Sequence, residues 1–305
     1  MTLRYRRVAL FGSMIALSLA GAAIAQQQPD WNAIQVTATE IRPGVAVLFG
    51  NGGNIGVSYG ADGTLIVDDQ FAPLVPKIQA AIAGLGASPV KFLVNTHWHF
   101  DHAGGNEPFG KSGAIIVAQT RVRDRLSAGG TVAGNDSPPA AKEALPILTY
   151  DHAMSFHLNG DTIDMIHTGG GHTDGDTAVF WRKANVLHTG DMMMKNAGFP
   201  FIDLSSGGNV EHLLVSLDQL IAMTDNDTVI IPGHGPLATR ADLIAWRRMI
   251  ATAVERVRTL KDAGRTLEQA KAAKPLAGLA DTSNAFFPEE QFVESIWGSL
   301  EANAR

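Results

Sequence analysis

Asn95-Thr96-His97-Trp98-His99-Phe100-Asp101-His102 follows the apolar run Phe92-Leu93-Val94 and sets four metal-capable side chains within six residues. Imidazole and carboxylate are the usual nitrogen and oxygen ligands of zinc. Four such donors are too many for one tetrahedral ion. His97 and His99 can bind one cation while Asp101 and His102 are directed at a second, so the stretch suggests a dinuclear site. A lone histidine is more often a satisfied buried polar residue than a ligand; a cluster this dense reads the other way.

Outward from this stretch, three more apolar runs end in the same kind of residue. One strand leads through Gly169-Gly170-Gly171 to His172, Val186-Leu187 leads to His188-Thr189-Gly190-Asp191, and Val229-Ile230-Ile231 leads to Pro232-Gly233-His234-Gly235. Ligands at strand ends are held by a rigid sheet, and the glycines allow the tight turns and close backbone approach of a compact metal cage.

The pattern His-x-His-x-Asp-His, then a distant His, an Asp and a last His, resembles the metallo-β-lactamase superfamily over roughly residues 40 to 240, with all seven positions present in order. The resemblance implies an αββα sandwich of two similar halves with the site at the edge of the two sheets. It also implies that His97, His99 and His172 hold one metal, that Asp101, His102 and His234 hold the other, and that Asp191 bridges them. The expected cofactor is two Zn2+, with iron or manganese left open. Asp191 is more like the glyoxalase II type than like those true β-lactamases that place a cysteine there, and this chain has no cysteine.

The short runs 45–49, 64–67, 92–94, 114–117, 162–166, 178–181, 186–187 and 228–231 read as strands. Residues 73–85 and 209–223 read as helices, the latter from Val210, Leu213, Leu214, Leu217 and Ile221 at three- and four-residue steps. A long helix over 241–263, a capping box at Thr266 and Gln269, and a helical tail from Glu289 make a helical extension over 241–305. The chain is therefore expected to be α/β. The Gly- and Pro-rich loop 127–146 is a candidate lid, or else an ordinary surface excursion.

Residues 1–25 read as a signal peptide: Arg4, Arg6 and Arg7 precede a mostly apolar segment, and Ala23-Ile24-Ala25 fits a cleavage site. An uncleaved anchor is the rival reading, although Gly12, Ser13, Ser18 and Gly21 interrupt the run. Cleavage leaves residues 26–305 as a single domain, periplasmic or secreted, and takes the formal charge from −6 to −9 because the leader holds three Arg and no acid. That charge speaks against a nucleic-acid partner, and no second membrane segment follows. The absence of cysteine excludes disulfides and any thiolate nucleophile or ligand. Oligomeric state is not legible.

Around the ligands, Asp68 or Asp69 could orient a ligand histidine through its second nitrogen or simply form a turn. Asp174 and Asp176 read as turn-stabilising, and His167 and His188 as packing or supporting groups. Lys195 reads as a solvated surface residue or as a ligand for a substrate carboxylate. Met192 to Met194 and Phe199 to Phe201 read as core or pocket wall. The chemistry is then hydrolysis of a small molecule by metal-activated water, with Asp101 as the catalytic residue that orients it. The substrate is a β-lactam amide, as export suggests, or a lactone, ester or thioester, as Asp191 suggests. A diiron flavoprotein reading lacks a flavin-binding partner domain, and a nuclease reading conflicts with the acidity.

Overall fold

The computed structural model describes residues 29–303 apart from 197 and 284, so the leader expected over residues 1–25 lies outside the described residues. The strands in chain order are β1 (Thr37–Arg42), β2 (Val45–Phe49), β3 (Ile55–Ser58), β4 (Thr64–Val67), β5 (Val90–Asn95), β6 (Ile115–Gln119), β7 (Gly130–Val132), β8 (Asn135–Ser137) and β9 (Leu148–Tyr150). They continue with β10 (Ala153–Leu158), β11 (Asp161–His167), β12 (Thr177–Trp181), β13 (Val186–His188), β14 (Val229–Ile231) and β15 (Ala238–Thr239). One sheet runs β1-β2-β3-β4-β5-β6-β9 and the other β10 to β15 in sequence order, while β7 and β8 form a separate hairpin. The first sheet is antiparallel as far as β4 and parallel from there to β9.

Alternation in the strands explains the layers. In β2, Val45 and Val47 pack with Leu65, Val67 and Val94 against Ile163, Met165, Val179 and Trp181 of the second sheet. Their neighbours Ala46 and Leu48 point the other way, into a cluster with Ile78 and Ile82 of α1 (Val75–Gly84). Successive side chains leave a strand on opposite faces, so a strand covered on both sides must be apolar throughout. The short helices α2 (Phe100–Ala103), α3 (Asn106–Lys111) and α4 (Thr120–Ala128) lie along the first half of the chain, and Phe109 of α3 joins the same outer cluster as α1.

On the far side, Ala178, Leu187 and Ile230 of the second sheet meet Leu213 and Leu217 of α5 (Val210–Met223). Leu243, Trp246 and Ile250 of α6 (Arg240–Asp262) pack into the same cluster. After α7 (Leu267–Ala272), α8 (Glu289–Ala302) adds Phe292 and Ile296 to it. The result is an αββα sandwich. The helical extension expected over 241–305 is present, and its α6 and α8 pack into the second helical layer. Asn209 caps α5, and the capping boxes Thr239/Asp242 and Thr266/Gln269 start α6 and α7. Among the described residues no helix is long and apolar enough to cross a membrane.

Candidate metal centre

Both sheets deliver their ligands to one edge. β5 ends at Asn95, and the chain then turns so that His99 stands in extended conformation just before α2, whose first turn carries Asp101 and His102. β13 and β14 are parallel neighbours with His188 opposite Ile231, so Asp191 and His234 emerge side by side. Gly233 makes that possible: a Cβ there would sit 1.9 Å from Asp191 Oδ1. Asn54 ties the sheets together, its amide donating to Pro232 O and Gly235 O at 2.8 Å each.

All seven sequence-predicted ligands converge. The ligand atoms of His97, His99 and His172 lie within 4.8 Å of one another, as do those of Asp101, His102 and His234, and those of His97, His102 and Asp191. The first two groups are the two ligand sets that the family resemblance implies, and the third places Asp191 beside a histidine from each. His99 Nδ1 faces His172 Nε2 at 2.9 Å, and His102 Nε2 faces His234 Nε2 at 3.2 Å.

Whether these residues suit a cation is decided by what their other atoms do. His97 Nδ1 meets the Thr96 hydroxyl (3.0 Å), His102 Nδ1 meets Asp68 Oδ2 (2.7 Å), His99 Nε2 meets Asp203 Oδ2 (2.9 Å) and His172 Nδ1 donates to Phe201 O (2.7 Å). Each ring is thereby fixed with its remaining nitrogen turned into the cage, the arrangement by which supporting groups orient metal-binding imidazoles. At the centre, His97 Nε2 is buried without a hydrogen-bond partner, and Asp191 Oδ1, equally buried, has only His102 Nε2 beside it at 3.1 Å. An orphaned buried polar atom is costly; here it fits a cation.

Protonation points the same way. Burial, with His102, His99 and His172 nearby, holds His97 well below the ordinary imidazole value, and burial with His99 brings His172 down to about 4, so both are neutral and can ligate. Burial would lower His234 as well, but Asp191 and Asp101 outweigh it and lift the imidazole to about 10. Burial would raise Asp101, yet His102 and His234 hold its carboxyl down at about 2. A divalent cation bound among these carboxylates would take the place of that proton.

The remaining predicted residues are placed as follows. Asp68, with φ of 65°, accepts from Thr96 N–H and hydroxyl and pairs with His102, so it braces two ligands at once. Asp69 does not brace a histidine: its carboxylate accepts from Gly105 N–H at 2.7 Å. Lys195, expected as a surface residue or a ligand for a substrate carboxylate, has its Nζ donating to Leu237 O (3.1 Å) and to Asp242 Oδ2 (2.8 Å), the capping carboxylate of α6. Asp176 caps the turn at His172 and Thr173, and Asp174 pairs with Arg125 through both oxygens. His167 bonds to Asp176 O and His188 to Asn54 O. Asp203 was not among the predicted residues: it lies 104 positions from His99 in an irregular stretch, and its only local mark is a turn.

A cavity of about 350 Å3 opens on His99, Asp101, Asp191 and His234. Met194, Phe199 and Phe201 line it, as do Val132 and Ala133 from the β7/β8 hairpin, which places the tip of the 127–146 loop at its mouth. Phe286 and Phe287, from the stretch before α8, complete the wall.

The sequence profile of the metallo-beta-lactamase superfamily matches residues 50–234. Among curated proteins, the chain is 28% identical over 184 residues to the probable metallo-hydrolase YqgX of Bacillus subtilis (strain 168), spanning 56% of this chain and 83% of that one. It is 25% identical over 146 residues to the metallo-beta-lactamase IND-1 of Chryseobacterium indologenes, spanning 48% and 56%. Among solved structures, a metallo-beta-lactamase from Pontibacter korlensis superposes with a TM-score of 0.58 at 18% identity, over 70% of this chain and 99% of that one. With its His/Asp cage at the edge of an αββα sandwich, the chain belongs to the metallo-beta-lactamase superfamily and is a metal-dependent hydrolase.

Proposed function

We propose that this chain is an exported hydrolase that holds two divalent cations, zinc foremost, and cleaves the acyl C–O bond of an ester or lactone. The observation that carries the two-metal reading is the convergence of the ligand atoms into two triads with Asp191 between them, around a His97 Nε2 that is buried without a hydrogen-bond partner. His97, His99 and His172 would hold one ion, Asp101, His102 and His234 the other, with Asp191 between them. Such a pair supplies activated water at neutral pH and polarises a scissile carbonyl. Asp101, its side chain 24% exposed beside His234, would orient that water. Water adds to the carbonyl carbon, the acyl C–O bond breaks, and a proton from the water passes to the leaving oxygen, giving a carboxylate and an alcohol that stay in one molecule when the substrate is a lactone.

The tie between Lys195 and Asp242 favours a neutral head group. No Lys or Arg is among the described residues that line the cavity, so away from the cage a carboxylate would meet no cationic side chain. β-Lactam hydrolysis is the second reading, favoured by the similarity to IND-1 and by the leader, since β-lactams act outside the cytoplasm.

The test is kcat/KM of the zinc-loaded mature chain on a γ-lactone, a neutral ester, a penicillin, a cephalosporin and a carbapenem. Lactone or ester values above about 10⁴ per molar per second, with β-lactams at least about a hundredfold lower, support the proposal. A β-lactam value above about 10⁵ with slower lactone turnover makes antibiotic hydrolysis the function.

A further inference from the structure

The cavity wall holds an aromatic series that leads away from the cage. Phe201 has its ring 5.8 Å from His99 and 5.7 Å from His172. Phe287 stacks on Phe201 at 4.5 Å with planes 13° apart, and Phe286 meets Phe287 edge-on at 4.8 Å. The series thus runs from metal-ligand rings to a phenyl that is 79% exposed. An exposed phenylalanine at the rim of an apolar cavity leaves uncovered surface that a ligand can remove from water. Phe71 and Phe100, with centroids 6.1 Å apart, border the same cavity. The only charged side chains among its described lining residues are the acids Asp101 and Asp191, with His99 and His234 beside them, all four in the cage.

We infer that Phe201, Phe287 and Phe286 bind an apolar alkyl or aryl arm of the substrate, and that Phe286 is a specificity-determining residue. The inference rests on the hydrolase reading above and narrows it to neutral esters or lactones with an extended hydrophobic arm. Covering the rings removes apolar area on both partners from water, so affinity rises with arm length until the rim is passed. A short substrate that reaches only the cage gains nothing from Phe286.

Two measurements on the zinc-loaded mature chain test this. The first is the dissociation constant of octanamide against acetamide, neutral and slowly hydrolysed probes, followed by protein NMR. The second is the ratio of kcat/KM for p-nitrophenyl octanoate over acetate. Octanamide is expected to bind at least about tenfold tighter than acetamide, and Phe286→Ala and Phe287→Ala are each expected to reduce both ratios at least about fivefold. Phe286→Leu, which keeps apolar bulk, should restore most of the preference. The exposure of Phe286 predicts an unchanged melting temperature for its variants, so a lost preference will not reflect unfolding. Equal binding of the two amides, or a preference untouched in both alanine variants, would overturn the inference. Preserved length selectivity in binding without turnover of any ester or lactone would leave the aromatic wall standing and remove the ester and lactone reading.

Discussion

Asp68 uses both carboxylate oxygens on the metal loop, one on the Thr96 N–H and the other on the Thr96 hydroxyl and His102 Nδ1. Asp68→Asn keeps the shape and removes the charge that favours the metal-binding tautomer of His102. Metal affinity, measured by chelator competition, is expected to fall about 10- to 100-fold. Lys195→Ala, by contrast, breaks only the tie to Asp242 and Leu237 and should change kcat/KM by less than about threefold. That tie has its own pH signature. Burial would raise the Asp242 carboxyl, but hydrogen bonds from Lys195 and Thr239 hold it below its ordinary value. The unfolded chain then binds more protons, so the contribution is fully present above the unfolded value near pH 4 and is lost as the pH falls through the folded one. Melting curves of metal-free protein between pH 7 and 3 should fall less steeply for Asp242→Asn than for the parent. The two supporting carboxylates differ in legibility: Asp68 directly follows an apolar strand, as the ligand residues do, whereas Asp203 lies in an irregular stretch with no such mark.

At the scale of elements, buried strands with an unbroken apolar run stood out, and β2 and β4 fall at the expected residues 45–49 and 64–67, whereas β3, equally buried but interrupted by Gly56, did not. The mostly exposed edge strand β1 and the three-residue β7, β8 and β9 did not, since they carry neither a continuous run nor enough residues for a period. The segment around Phe286 offered no sequence mark because its role comes from where α8 docks. The loop after β14 and the turn before β3 both tolerate little change. In Gly233→Ala the new methyl meets Asp191 Oδ1, and in Gly53→Ala it meets the His102 ring at 2.2 Å. Both variants are expected to lose at least about half their bound metal by elemental analysis while far-ultraviolet circular dichroism keeps its folded shape. Normal metal content in both would mean that the backbone approach at these turns is not what holds the cage. In the helical layer, Leu217→Ala empties a fully buried site and should lower stability by about 2 to 5 kcal/mol in urea unfolding.

Taken whole, the two sheets pack through an apolar layer and also meet at one polar edge, so what binds there also braces the sandwich. Anything that binds the folded chain alone stabilises it by mass action. Stripping the metal with a chelator is therefore expected to lower the melting temperature, and added zinc to restore it. The leader proposal is checked by intact mass: a chain isolated from the periplasm should begin at Gln26, and retention of Met1 would refute cleavage. The most direct test of the two-metal cage is titration of metal-free protein with Zn2+ under native mass spectrometry, beside its His97→Ala and His234→Ala variants. Two zinc ions per parent chain and at most one tightly held in each variant are expected. A parent that saturates at one, or variants that still hold two, would show that the seven residues do not form a dinuclear site.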